Sequence, residues 1–175
     1  PEAEFRCRLG SAIAANILAI AQEVEAGWVD GDNAIARRLA APEVASGLKA
    51  ALATDLLGAY VLIKDKKLDP TMGKDPASVR QKMAEGWRSG RSLHAIVLNL
   101  ETAGAILTIL ADGMPKQDSS ALRNNVTALR VAERLNGLNS GLGWLAAGPR
   151  RSNLILLRDL VDAAGKRAFE EVPFV

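Results

Sequence analysis

Apolar residues recur along this chain at three- and four-residue steps, and the breaks between the runs are short. Leu9, Ile13, Ile17, Ile20 and Val24 form one helical stripe, which Gly27 is placed to end. Asp32 or Asn33 can then cap a short helix through Leu39. Pro42 suits the first turn of the next helix, where its missing N–H costs nothing. That helix is predicted to run to about Lys64, with Val44, Leu48, Ala51, Leu52, Leu56 and Tyr60 on one side. KDKKLDPTMGKDP (64–76) has no apolar period and reads as an exposed loop.

Asp75 before Pro76 marks a new start, predicted to carry a helix through Val79 and Met83 to Gly86 or Gly90. Ser92 opens the longest apolar helix, 92–112. Its polar positions His94, Glu101, Thr108 and Asp112 form a narrow stripe, and the rest is apolar apart from Asn99. Such a helix belongs in the centre of a bundle. Asp118, Ser119 or Ser120 can cap a helix through about Leu135, with Leu122, Val126, Leu129, Ala132 and Leu135 inside. The glycine-rich stretch 136–153 turns the chain. A final helix, about 152–171, then buries Leu154, Leu157, Val161, Ala164 and Ala168 and leaves Arg158, Asp159, Asp162 and Lys166 outside.

Alternating β-branched and aromatic runs between turn residues are missing, so the expected fold is all-α. It is read as a compact bundle of about six major helices plus one short helix, around the apolar helix 92–112. At 175 residues the chain fits a single domain, 1–175. Each of the three tryptophans follows a glycine, in the frames Gly27–Trp28, Gly86–Trp87 and Gly143–Trp144. The recurrence outlines weak repeat units near 1–60, 61–116 and 117–175, which would make three helical hairpins. The frames read as structural turns, with the indole closing the end of a helix pair. The alternative is an aromatic ligand cage.

Composition changes this picture little. Half the residues are apolar, yet Trp, Tyr and Phe together number only seven. Alanine supplies much of the rest and lets helices approach closely. Net charge is +2: residues 1–60 carry eight acids and five bases, and residues 61–175 carry twelve acids and seventeen bases. Cys7 is the one cysteine, which excludes an internal disulfide and a cysteine-based zinc site. No signal-peptide pattern opens the chain, and Asn99, Glu101 and Thr102 interrupt its longest apolar run. A soluble cytoplasmic protein is expected.

The search for chemistry is mostly negative. His94 is the single histidine, and Glu101 lies two turns further on, roughly 10 Å along the axis. No Glu-x-x-His, His-Glu-x-x-His, calcium loop, nucleophile elbow or phosphate loop occurs, so no metal and no cofactor are expected. Residues 33–52 superficially suggest a helix-turn-helix, but Glu43, Ser46 and Lys49 are a poor set for reading bases. Arg123, Arg130 and Arg134 line one helix face with Arg150 and Arg151 following, a surface able to hold a phosphate backbone.

These readings favour a non-catalytic assembly or adaptor protein, acting through protein–protein contacts and self-association as a homo-oligomer. Nucleic-acid association through the arginine face is the alternative. A further alternative is a small-molecule-binding bundle or enzyme with a pocket near His94, Asn99 and Glu101, since a buried Asn99 must find a partner.

Overall fold

The final apolar stripe folds as its spacing predicts. Leu154, Leu157, Val161, Ala164 and Ala168 are all buried on one face of the helix Arg151–Glu171. The computed structural model describes residues 2–29, 37, 41–110 and 119–171, and these form helices and turns with no strand among them. The protein is all-α, and among the described residues there are six helices of at least one and a half turns. We label them α1 (Glu2–Val29), α2 (Pro42–Leu62), α3 (Ser92–Leu110), α4 (Ser120–Asn136), α5 (Leu142–Ala147) and α6 (Arg151–Glu171). The expected short helix near 33–39, Asp112 and Asp118 lie outside the described residues.

Packing divides the chain into two units, residues 1–48 and residues 49–175. In the first unit, α1 runs on through Val29, so Gly27 and Trp28 lie within a helix and not at its end. Its Leu9, Ile13, Ile17, Ile20 and Val24 keep their helical spacing and are exposed.

In the second unit, α4 lies between α3 and α6 and packs extensively against both. Ala121, Ala128 and Ala132 supply much of its buried face, and these small side chains allow the close approach. The face is rotated by one residue from the expected one, because Asn125 is buried where Val126 was predicted. A buried amide must be satisfied. The Tyr60 hydroxyl donates to Asn125 Oδ1 at 2.7 Å, and Asn125 Nδ2 donates to the Leu100 carbonyl at 3.1 Å. Gly104 makes room, since a Cβ there would lie 2.6 Å from Asn125 Nδ2. Burial raises the Tyr60 hydroxyl above its ordinary pKa, so it remains a donor.

The segment expected to be a loop at 64–76 is helical over most of its length. α2 continues into a π-helical stretch, Ile63–Leu68, and then one α-turn, Asp69–Met72. Ile63, Leu68 and Met72 are its buried anchors, at steps of five and four that a 3.6-residue template misses. Asp75 does cap a helix start, accepting from the Ser78 amide at 2.8 Å while Ser78 Oγ accepts from the Asp75 amide at 3.0 Å. The structure it opens is a single 3₁₀ turn, Pro76–Ser78, in place of the predicted helix. Val79 is extended, and a second short turn follows at Gln81–Met83.

At the start of α4, Ser119 provides the cap, accepting from the Leu122 amide at 3.2 Å. Glu171, at the end of α6, reinforces it. Its carboxylate accepts from the Ser120 amide at 3.1 Å, the Ala121 amide at 3.2 Å, the Ser119 hydroxyl at 3.0 Å and the Ser120 hydroxyl. A carboxylate suits these amides, which no helical carbonyl satisfies.

By length and composition α3 could cross a membrane. Here Leu93, Ile96, Val97, Leu100, Ala103 and Leu107 belong to the apolar core of residues 49–175.

Candidate functional site

Two polar turns meet at one end of the second unit. RSGRS (88–92) leads into α3, and NGLNS (136–140) leaves α4. Gly86 and Gly90 take positive φ in the first turn, a conformation glycine adopts without strain. Ser92 Oγ donates to the Glu85 carbonyl at 2.5 Å and ties that turn to the first residue of α3. Between the turns lies a cavity of about 390 Å³, lined by Ser89, Gly90, Arg91, His94, Asn136, Asn139 and Ser140. No carboxylate and no large apolar side chain lines it.

A second cavity, about 400 Å³, is a groove between helix faces. From α2 come Leu52, Leu56, Ala59 and Leu62, and from α3 come Ala103 and Ile106. Each set follows helical spacing, so each is one face of its helix. Polar groups stand at the edges: Asp55, Lys67, Asn99 and Thr102. Lys67 Nζ pairs with Glu85 at 2.5 Å, and the Thr102 hydroxyl donates to the Leu98 carbonyl at 3.0 Å.

The residues singled out from the sequence are therefore dispersed. His94 lines the end cavity, Asn99 lines the groove, and Glu101 is exposed and lines neither, so the three form no common pocket. Arg123, Arg130, Arg134 and Arg150 are exposed. Arg151 is committed inside the fold: its guanidinium donates to the carbonyls of Met72 at 2.7 Å, Gly73 at 2.8 Å and Ala146 at 3.1 Å. Those bonds hold the Met72 turn against α5 and leave little for a phosphate.

The three Gly–Trp frames have three different structures. Gly27 and Trp28 continue a helix. Gly86 needs its positive φ, and Trp87 follows in the turn with the Arg88 guanidinium 5.0 Å from its ring centroid. Gly143 sits inside α5 because Gln81 packs on it; a Cβ there would meet Gln81 Cγ at 2.3 Å. Trp144 is 73% exposed.

The sequence reading missed Asn136 and Asn139 as site residues. Their signal was the polarity of two turns, but nothing local says that the two turns meet. Leu52 and Leu56 of the groove were read as part of an apolar helix face, because half-buried and buried faces share one periodicity.

Among the described residues, no group of three or more His, Cys, Asp and Glu side chains gathers as a metal site would need. What the geometry defines is an all-α protein with a polar end cavity and an apolar interhelical groove. Comparison with family models identifies it further: the imelysin model (Peptidase_M75) matches residues 1–150. The chain belongs to the imelysin family. Both cavities lie within the matched residues, and α6 lies beyond them. No curated protein and no solved structure matches the chain. The family corrects the functional expectation from sequence: membership in a peptidase family replaces a non-catalytic adaptor working by self-association, with nucleic-acid binding as its alternative. That expectation rested on missing catalytic motifs.

Proposed function

We propose that this protein binds peptide segments as a member of a peptidase family, and that the groove between α2 and α3 receives them. The family match over residues 1–150 carries the reading; it supports a peptidase-related or iron-uptake-related role. The groove's chemistry favours peptide. Its floor of Leu52, Leu56, Ala59, Leu62, Ala103 and Ile106 suits apolar side chains. The Asn99 amide carries both a donor and acceptors, the pair that a peptide unit requires. Asp55 at the edge favours a peptide bearing a basic residue beside the apolar one.

The test is fluorescence anisotropy with labelled peptides that pair leucine or phenylalanine with a neighbouring lysine, run beside mass spectrometry for cleavage. Saturable binding is expected, and Leu62→Asp should weaken it at least about ten-fold by placing a charge on the apolar floor. Leu62 is 54% exposed, so that variant keeps its fold. Binding that is absent, or that is indifferent to Leu62→Asp, overturns the reading. Saturable ferric-ion binding without peptide binding would replace it with an iron-related role.

A further inference from the structure

The end cavity has a composition that the groove does not share and that peptide binding does not use. Arg91 and Asn139 reach it from turns, His94 from the first turn of α3 and Asn136 from the last residue of α4. Among the described residues none of these four side chains makes a hydrogen bond or ion pair, whereas Ser89 and Ser140 donate to the carbonyls of Gly86 and Leu138. Four unspent polar side chains around one space of about 390 Å³ form an open set of donors. Arg91 brings a fixed positive charge with several N–H groups in one plane, His94 a ring N–H, and the two asparagines amide N–H groups. The lining contains no carboxylate, and Arg91 is its one fixed charge.

We propose that this cavity is a binding site for a small oxyanion carried on a polar body, that is, a phosphate monoester or a small polycarboxylate. Guanidinium recognises both groups through two parallel N–H···O bonds, and those charge-assisted bonds are stronger than neutral ones. The volume exceeds what inorganic phosphate alone would fill, and it falls in the range of small-molecule sites. The hydroxyl oxygens of Ser89 and Ser140 remain acceptors for hydroxyl groups on the ligand body. The site is separate from the peptide groove, which has its own lining residues.

His94 is the one histidine in the chain, so its ring proton resonance in an NMR spectrum is a reporter inside the cavity. The experiment titrates the full chain with glycerol 3-phosphate, citrate and inorganic phosphate, each against sodium chloride at matched ionic strength. The expected result is a saturable shift of that resonance with glycerol 3-phosphate or citrate, whichever saturates first naming the class. Arg91→Ala should weaken it about ten-fold or more, and Arg91→Lys should restore part of the loss. Equal saturation by both supports a general oxyanion site. Arg91 is exposed, and thermal melts of each variant verify folding. A shift that follows ionic strength alone, or one unchanged in Arg91→Ala, overturns the proposal. Leu62→Asp should leave this titration as it is, so failure of the groove and failure of this cavity are read separately.

Discussion

The two cavities of residues 49–175 have similar volumes and opposite construction. The groove is made where two helices fail to close over each other, and its walls repeat at the helical period. The end cavity is made of two turns and the helix ends they join, and its lining is polar. Helix faces provide area and tolerance; turns provide directed polar groups on a rigid support. The difference matches the ligands proposed for the two cavities, a peptide segment and a small oxyanion.

The comparison breaks most sharply if Arg91→Ala and Leu62→Asp fail to separate the two ligands, since each should cost its own ligand about ten-fold and leave the other unchanged. The next largest effect concerns what holds the groove open at its set width. Asn125 ties Tyr60 of α2 to Leu100 of α3. Asn125→Ala leaves the Tyr60 hydroxyl buried without an acceptor and should cost about 2–3 kcal/mol. Differential scanning calorimetry should show a fall in Tm of about 4–10 °C. Peptide affinity should fall with it while the His94 titration holds. A smaller effect is expected at Gly165, where an added Cβ would lie 2.8 Å from Tyr60 Cβ. Gly165→Ala should cost about 1–2 kcal/mol by overpacking, measured by urea denaturation, and should again disturb the groove side alone.

The smallest effect is an acid dependence that belongs to neither cavity. Burial raises the Glu171 carboxyl, but hydrogen bonds from Ser120, Ala121 and Ser119 outweigh it and hold the group below its ordinary value of 4.5. A depressed carboxylate contributes stability that is present above its unfolded value and is lost as pH falls through the lower folded value. Urea melts between pH 6 and pH 3 should therefore show a loss that Glu171→Gln partly flattens. Asp162, held low by hydrogen bonds from Lys166 and Lys64, accounts for a share that remains in that variant.

Much of the architecture was legible in the residues. The all-α class, the start of α3 at Ser92, the Ser119 cap and the five buried positions of α6 all follow from spacing and capping chemistry. The π-helical run at 63–68 was not legible, because three lysines and an aspartate mask two apolar anchors set five apart. Asn125 in place of Val126 was not legible either: a polar residue is predicted outward unless its partners, 65 and 25 residues away, are known. The candidate sites were legible only as parts. His94, Asn99 and Glu101 were grouped in one pocket, whereas His94 and Asn99 line different cavities, and nothing in the sequence brings Arg91, Asn136 and Asn139 beside His94. Function was least legible: the family match spans residues 1–150, and none of the catalytic spacings sought in the sequence lies among them.

The Tyr60–Asn125–Leu100 link answers a problem that alanine-rich helices create. Surfaces built from Ala121, Ala128 and Ala132 are nearly smooth, so α4 could slide along its neighbours by one turn and lose little apolar contact. Such a slide would carry Asn125 away from the hydroxyl, the carbonyl and the notch at Gly104 that accept it, and strand its amide in hydrocarbon. One asparagine thereby converts a set of near-equivalent alignments into a single one, as a keyed shaft fits its sleeve at only one setting.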